Sequence, residues 1–152
     1  MVSIVSTDLE SGALALVEGE TNLIANLANL SAHLFMTIPG LNWAGFYLWS
    51  QEDQELVLGP FQGKPACIRI PPDRGVCGKA FSTRLSQRVD DVHALSYHIA
   101  CDPESRSELV IPFFRGAECI GVLDLDAPTV GFFSETLQLQ LESLCQKLSK
   151  VL

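Results

Sequence analysis

The chain has 152 residues, of which 47% are hydrophobic, and this composition suits one globular domain over residues 1–152 and argues against a disordered chain. Its formal charge of −8 disfavours nucleic acids and anionic membranes as partners but leaves a small cationic or zwitterionic substrate open. The sequence contains neither a signal-peptide pattern nor an apolar stretch of membrane-spanning length. We therefore expect a cytoplasmic protein.

Two helices and a hairpin are predicted for the first third of the chain. The first helix covers about Thr7 to Glu18, and the second begins near Thr21 and ends at Pro39-Gly40. The aromatic-rich segment Asn42 to Trp49 and the segment Glu55 to Leu58 are typical of two strands joined by a polar turn.

The middle of the chain is interrupted by prolines and glycines, so only short elements are predicted there. They are a strand over Ala66 to Ile70, a helix over Gly75 to Thr83 and a strand over Arg88 to Asp90. The segment from His93 to Ser107 shows no sustained period and contains a proline. We interpret it as a long loop, and long loops in compact domains are often functional.

The last third predicts two strands and a helix. The strands cover Glu108 to Arg115 and Glu118 to Asp124, and Ser134 is a suitable N-cap for the final helix. The complete order is α-α-β-β-β-α-β-β-β-α. It indicates an α+β fold in which an antiparallel sheet is flanked by N- and C-terminal helices packed on one side.

Five cysteines in a cytoplasmic chain argue against a structural disulfide framework. Cys119 and Cys145 lie within a predicted strand and helix, and we interpret both as small buried hydrophobes. Cys67, Cys77 and Cys101 are candidate reactive thiols. Cys101 lies in the long loop, where access is expected, although a loop cysteine can also be tucked inward. Cys77 lies at a predicted helix N-terminus, whose amides stabilise a thiolate. Local electrostatics favour Cys77, but the residues alone do not rank the three securely.

Metal binding is not expected from the cysteine pattern. The three candidate thiols are separated by ten and twenty-four residues, with His98 near the third. Such spacings do not match the paired ligands of a structural zinc site. The three thiols are therefore interpreted either as redox groups or as small buried side chains.

Three acidic residues are predicted to gather at one end of the sheet. Asp124 and Asp126 alternate along one strand and share a face, which Ile120 and Val122 begin. Glu108 starts the neighbouring strand, and a hairpin brings it to the same end. Such a group could bind an ammonium ion or donate a proton to an oxyanion, although solvated charges at strand ends explain the pattern equally well.

Trp43 and Tyr47 lie four residues apart on the first predicted strand and therefore share a face. Core packing is the more common reason for such a pair. An aromatic wall for the methyl group of a thioether is the functional alternative.

Several segments, taken together and in order, resemble the free methionine-(R)-sulfoxide reductases, which are GAF-domain enzymes. Each segment is a weak signal alone, but the combination of three cysteine motifs with an Asp-x-Asp strand is specific. The resemblance covers most of the chain, and its segments are Asn42 to Tyr47, Gly63 to Cys67, Gly75 to Gly78, His98 to Asp102, Ser107-Glu108 and Gly121 to Asp126.

The resemblance implies roles that the residues alone left open. It implies that Cys101 is the nucleophile and that Cys67 is the main resolving thiol, with Cys77 as an alternative or auxiliary partner. It also implies that substrate is contacted by a set of five residues: Glu108, Asp124, Asp126, Trp43 and Tyr47. Free methionine-(R)-sulfoxide is the implied substrate, thioredoxin the implied reductant, and no metal or organic cofactor is required.

Two local departures and two rival interpretations accompany the resemblance. The family's usual Arg-Phe-Asp before the last helix is replaced by Phe132-Phe133-Ser134, and Tyr97-His98 stands where relatives often carry glycine. A non-catalytic GAF sensor and a redox sensor without turnover are the rivals. Homodimers are usual in the family, and the leucine-striped terminal helices could supply an interface, although packing on the sheet explains the same stripes.

Overall fold

A computed structural model describes residues 7–96 and 102–152. Within these ranges the helices are α1 (Thr7–Val17), α2 (Leu23–Thr37), α3 (Gly75–Thr83) and α4 (Glu135–Ser149). The strands are β1 (Trp43–Ser50), β2 (Glu55–Gly63), β3 (Arg69–Ile70), β4 (Gln87–Val89), β5 (Ser107–Arg115) and β6 (Glu118–Ala127). A single turn of 3-10 helix covers Val92–Ala94. This order is the predicted one, apart from the 3-10 turn.

The six strands form one sheet in the order β3-β2-β1-β6-β5-β4, with every neighbouring pair antiparallel. The first and last strands of the chain, β1 and β6, therefore lie side by side at the centre of the sheet. The predicted α+β class, with an antiparallel sheet flanked by N- and C-terminal helices, is confirmed. In the described ranges, no helix is both long and apolar enough to cross a bilayer.

Side-chain caps begin two of the helices, and the one at Ser134 is the predicted one. Asn22 Oδ1 accepts a hydrogen bond from the amide of Ala25 at 3.0 Å at the start of α2. Ser134 Oγ accepts one from the amide of Leu137 at 3.1 Å at the start of α4. The Phe-Phe-Ser sequence therefore still caps the last helix, because a serine hydroxyl can replace a carboxylate as N-cap acceptor.

One face of the sheet is covered by α1, α2 and α4. The larger hydrophobic cluster lies there, and it takes from the strands the alternating residues Ala44, Phe46, Leu109, Ile111, Phe113, Leu123, Leu125 and Ala127. Burial of these side chains removes apolar surface from water, which is the main source of stability.

The opposite face carries α3, so the prediction that the helices pack on one side is wrong for this helix. Val76, Ala80 and Phe81 of α3 pack there in a second cluster with Trp43, Tyr47, Leu56, Ile70, Val110 and Val122. The physical reason is that the central strands are apolar on both faces for part of their length. A strand with two apolar faces has to be covered on both sides.

The prediction that Ile120 shares a face with Val122 is wrong, because a β-bulge lies between the two strands at this residue. Phe113 pairs with Gly121 and Phe114 with Cys119, so Ile120 is an extra residue without an opposite partner. The alternation of side chains is shifted at that point, as expected for a bulge. Ile120 consequently packs against the larger cluster, while Val122 faces α3.

Two further strand boundaries differ from the predictions. Strand β2 continues to Gly63 rather than ending at Leu58, because a register shift in β1 between Gly45 and Tyr47 accommodates Gly59-Pro60. Strand β3 is limited to Arg69–Ile70. The predicted loop from His93 to Ser107 includes part of the 3-10 turn, and its residues 97–101 lie outside the described residues.

Candidate active site

A pocket lies on the α3 side of the sheet and contains most of the predicted site residues. Its cavity volume is about 40 Å³, which is well below the usual range for small-molecule sites. Six predicted residues line it: Trp43, Tyr47, Cys77, Glu108, Asp124 and Asp126.

The remaining two predicted thiols adjoin this pocket in sequence. Ala66, which precedes Cys67, and Asp102, which follows Cys101, both line it. Cys101 itself lies outside the described residues. A residue next in sequence to each of these two cysteines therefore lines the pocket.

Strand register brings the three acids together. Glu108 of β5 pairs with Asp126 of β6, and Val110 pairs with Asp124. Asp124 and Asp126 also pair with Gly45 and Trp43 of β1 on the other side. The predicted meeting of Glu108 with the two aspartates is thus present, and Glu108 and Asp124 are buried rather than solvated.

Burial and mutual repulsion control the protonation of these acids. The pKa of Glu108 is raised well above its usual value by desolvation first, then by the charges of Asp124 and Asp126. The pKa of Asp126 is raised well above its usual value by desolvation and by Asp124 and Asp102. Since Asp126 remains partly exposed, we regard Glu108 as the carboxyl group that keeps its proton most firmly.

Asp124 acts as the acceptor in the centre of the group. Its pKa is raised by desolvation, but hydrogen bonds from Glu108 and Cys77 oppose that rise. Its atom Oδ1 is buried and has no hydrogen-bond partner among the residues that the structure describes. A buried carboxylate oxygen without a donor is costly, so Oδ1 is suited to receive a cationic group from a ligand.

The Cys77 thiol is not the activated nucleophile that its position at a helix N-terminus suggested. Its side chain is only 4% exposed. Desolvation, followed by the charges of Asp124, Glu108 and Asp126, raises its pKa well above the usual value. The expectation from local electrostatics was wrong because the helix dipole is opposed by burial and by acids from β5 and β6, which the sequence does not place beside it.

The aromatic pair has two structural tasks. Trp43 and Tyr47 are stacked with ring centroids 5.9 Å apart and form one wall of the pocket. Their polar ends hold the segment before and at Cys67: Trp43 Nε1 donates to the carbonyl of Lys64 at 3.1 Å. Tyr47 Oη donates to the carbonyl of Cys67 at 2.8 Å. The pair therefore combines packing with positioning of a candidate thiol.

The thiols differ in state. Cys67 is disulfide-bonded, whereas Cys77, Cys119 and Cys145 are free thiols. Cys145 is buried, as predicted, and Cys119 is partly exposed. Cys119 is therefore less enclosed than its interpretation as a buried hydrophobe required.

A group of possible metal ligands is also present, although the cysteine spacing did not predict one. Cys77, Glu108 and Asp124 each offer one ligand atom, and these atoms lie within 4.8 Å of one another. The spacing of cysteines and histidine could not indicate this mixed group, because its thiol and its two carboxylates come from a helix and two strands that are distant in sequence.

The structure adds residues that the sequence argument missed. Asn42 Nδ2 donates to Asp102 Oδ2 and to Ser105 Oγ, each at 3.0 Å. These bonds join the start of β1 to the loop that follows Cys101. Asn42 is part of the Asn-Trp motif already singled out, but the sequence does not show that its amide spans 60 residues of separation.

The first turn of α3 also faces the pocket through Arg74, Gly75 and Val76. Gly75 has a φ of +63°, which favours glycine. A Cβ on Gly78 would lie 2.8 Å from the carbonyl oxygen of Pro71, so only glycine allows this close approach. The two glycines of the Gly-Val-Cys-Gly motif thus set how α3 enters the site.

The chain is similar in sequence to a domain family and to characterised proteins. The GAF domain family matches residues 7–152. The free methionine-R-sulfoxide reductase of Escherichia coli is 50% identical over 145 residues, covering 95% of this chain and 87% of that protein.

Two solved structures are similar over nearly the whole chain. The reduced form of the Staphylococcus aureus protein fRMsr has a TM-score of 0.89 and 45% identity, covering 98% of this chain and 97% of that one. The free methionine-R-sulfoxide reductase of Neisseria meningitidis, in complex with its substrate, has a TM-score of 0.89 and 42% identity. That alignment covers 98% of this chain and 92% of that one.

Proposed function

The chain belongs to the GAF domain family and, within it, to the free methionine-R-sulfoxide reductases, and from this premise we propose that it reduces free methionine-(R)-sulfoxide to methionine by thiol chemistry. The observation that carries the proposal is a buried acidic group beside an aromatic wall, in a pocket that the flanks of Cys67 and Cys101 reach. A domain that only binds a ligand has no need of this combination with thiols.

The acids would bind the substrate's α-ammonium group. Asp124 Oδ1 is the buried acceptor with no partner among the described residues, and Asp126 lies on the same pocket wall. An ammonium group would supply both charge and hydrogen-bond donors to these oxygens.

The N-terminus of α3 would bind the substrate's carboxylate. The first amides of a helix have no partner within it and carry partial positive charge. Gly75, Val76 and Cys77 provide these amides at the pocket. Recognition of both charged groups would select the free amino acid, since a peptide-bound methionine sulfoxide lacks both charges.

The Trp43 and Tyr47 wall would receive the methyl group on the sulfoxide sulfur. Stacked aromatic rings offer a broad apolar surface of fixed position. Their hydrogen bonds to the Lys64 and Cys67 carbonyls keep this wall in register with Cys67.

In the first chemical step, the Cys101 thiolate attacks the electrophilic sulfur of the substrate. Oxide is a poor leaving group, so the oxygen must be protonated as the sulfur–oxygen bond weakens. Glu108 would donate this proton, because burial and neighbouring acids raise its pKa, with Asp126 as the alternative donor. A sulfur–oxygen bond forms on Cys101 as the substrate's sulfur–oxygen bond breaks. Methionine leaves with its sulfur reduced by two electrons, and Cys101 is oxidised by two electrons to a sulfenic acid.

In the second step, Cys67 attacks the sulfenic sulfur, water leaves and a Cys67–Cys101 disulfide forms. Thioredoxin then reduces this disulfide by thiol exchange. Cys77 is proposed as an auxiliary partner, because its raised pKa keeps it in the less reactive thiol form. For the exchange to work, the segment from His93 to Ser107 should differ in hydrogen exchange between the two redox states, and equal exchange would contradict this step.

Cytoplasmic location and a homodimer complete the proposal. The cytoplasm supplies the reduced thioredoxin that the cycle consumes. Sedimentation of the purified protein measures the oligomeric state directly.

The decisive assay couples NADPH oxidation to thioredoxin and its reductase, with free methionine-(R)-sulfoxide or its S epimer as substrate. We expect turnover of the R epimer only, lost in Cys101→Ser and retained in Cys145→Ser, which alters a thiol on the opposite face. If reduced wild-type protein shows no turnover, the catalytic proposal is wrong and a ligand-binding GAF sensor becomes the better explanation.

A further inference from the structure

We infer that Cys77, Glu108 and Asp124 form a binding site for a borderline-soft divalent cation such as Zn²⁺, inside the pocket, where the cation and the substrate's ammonium group exclude each other. The metal site itself does not depend on the proposed reaction. Only the mutual exclusion rests on the proposed function.

The geometry of the three ligand atoms is close to what one ion requires. They come from three different elements, α3, β5 and β6, and lie within 4.8 Å of one another. Around a tetrahedral Zn²⁺ with bonds of about 2.3 Å to sulfur and about 2.1 Å to oxygen, ligand atoms lie about 3.5 Å apart. Side-chain adjustments of about an ångström or less would therefore close the group around an ion.

A second observation, independent of the clustering, points to a cation. Asp124 is 5% exposed, and its Oδ1 has no hydrogen-bond partner among the described residues. The same carboxylate already accepts hydrogen bonds from Glu108 and Cys77, so a divalent cation bound at this point would replace those two protons with the same positive charge. The group would keep one net negative charge, as it has when Glu108 and Cys77 are protonated and Asp124 is ionised.

The ion would have a path and an open coordination position. All three ligands line the same pocket, which opens to solvent. Three protein ligands plus one position for water is the arrangement of an accessible zinc site rather than of a closed structural one. Upon binding, the Cys77 thiol proton and the Glu108 carboxyl proton leave to solvent, because metal ligands must be deprotonated.

The donor set selects among metals. A thiolate with two carboxylates favours Zn²⁺ and the softer Cd²⁺, whereas Mg²⁺ and Ca²⁺ prefer oxygen ligands alone. Thiophilic metals would therefore occupy the pocket, whereas the abundant hard cations would not.

The test uses Cd²⁺ and the oxidised protein. In that state Cys67 is held in a disulfide, so Cys77 is the pocket-lining thiol that remains able to bind metal among the described residues. Titration with Cd²⁺ should produce the ultraviolet absorption of a sulfur-to-cadmium charge transfer with one equivalent bound. Excess Mg²⁺ should not reduce it.

Variants assign the ligands. The absorption should disappear in Cys77→Ala, and Asp124→Asn should weaken Cd²⁺ binding by roughly tenfold or more. Matched controls are Cys119→Ala, a partly exposed thiol, and Asp53→Asn, an exposed carboxylate paired with Arg69, both of which should bind Cd²⁺ like wild type. Absence of the band in wild type, or its persistence in Cys77→Ala, would overturn the site; Asp124→Asn provides the test if Cys77→Ala does not fold.

Competition tests the mutual exclusion separately. Free methionine sulfoxide should displace Cd²⁺ from the wild-type protein in a concentration-dependent way. If Cd²⁺ binds at Cys77 but is not displaced, the shared position is wrong. Failure of the proposed reaction itself would appear instead in the metal-free turnover assay, so the two failures are distinguishable.

Discussion

The two faces of the sheet are built from the same strands but have different contents. In β6, Leu123, Leu125 and Ala127 point into the cluster under α1, α2 and α4, whereas Asp124 and Asp126 point into the pocket on the α3 side. The helical face contains apolar side chains that interlock. The pocket face places Glu108, Asp124 and Cys77 in a buried setting, where their charged forms are disfavoured.

This contrast indicates that stability and chemistry are separated by side-chain alternation. A strand that alternates between two faces can carry core residues and reactive residues at successive positions. Substitutions one residue apart on β6 should therefore have different consequences, and the comparison can be tested directly.

The largest effect is expected on the pocket face, from Glu108→Gln. The amide keeps the size of the side chain but is a far weaker proton donor, so turnover of methionine-(R)-sulfoxide should fall about 10²- to 10⁴-fold. Thermal unfolding should show that the variant is folded. Asp126→Asn is the matched comparison, and a greater loss of activity in that variant than in Glu108→Gln would identify Asp126 as the proton donor instead.

The next effect is expected on the helical face, from Leu123→Ala. Leu123 is 1% exposed, and its truncation should lower the free energy of unfolding by about 2–5 kcal/mol. Activity at a temperature where the variant remains folded should stay within about twofold of wild type. A large loss of activity with little loss of stability would contradict the separation of the two faces.

A third test uses the pH dependence of stability. The pKa of Glu108 is raised in the folded state above its usual 4.5, so the folded protein holds this proton after the unfolded chain has released it. The Glu108 contribution to stability is complete below about pH 4.5 and is lost as pH rises toward the folded-state pKa. Asp124 and Asp126, which face it and also have raised pKa values, act in the same direction.

We therefore expect Glu108→Gln to gain stability relative to wild type as pH increases from acidic to neutral values. Urea unfolding over a pH series measures this difference. The exposed Glu52→Gln provides a control that should follow the wild-type curve. A constant difference between Glu108→Gln and wild type would show that the pKa of Glu108 is not raised on folding.

The smallest effect is expected from two asparagines, the half-buried Asn42 beside the pocket and the buried Asn26 on the helical side. Asn42 donates to Asp102 and Ser105 beside the pocket, whereas Asn26 of α2 donates to the carbonyl of Glu20 at 3.1 Å. Asn26→Ala should lower the free energy of unfolding by about 1–2 kcal/mol with kcat unchanged. Asn42 is half-buried, so water can replace its lost partners, and Asn42→Ala should lower kcat about tenfold with little change in unfolding.

If both alanine variants change the same quantity, Asn42 acts only as a structural residue. Asn42→Asp sharpens the distinction, because its carboxylate would repel Asp102 and displace the loop that follows Cys101. That variant should lose more activity than Asn42→Ala.

The sequence by itself determined the order of elements, the final helix cap and the set of candidate site residues. These depend on local signals, such as the leucine spacing of α2, the Ser134 cap and the alternation of Asp124 with Asp126, and local signals can be read along the chain. The resemblance carried by the cysteine and Asp-x-Asp motifs also indicated the family that the comparisons confirm.

Only the tertiary structure decided what depends on contacts between distant residues. In the structure α3 lies on the opposite face of the sheet, and a bulge turns Ile120 to the face opposite the predicted one. Cys77 lies beside Glu108 and Asp124. The pKa of Cys77 is raised rather than lowered because desolvation and through-space charge depend on distance in the fold, not on separation in sequence. A helix N-terminus is visible in the sequence, but the acids that oppose it arrive from strands 31 and 47 residues further along the chain.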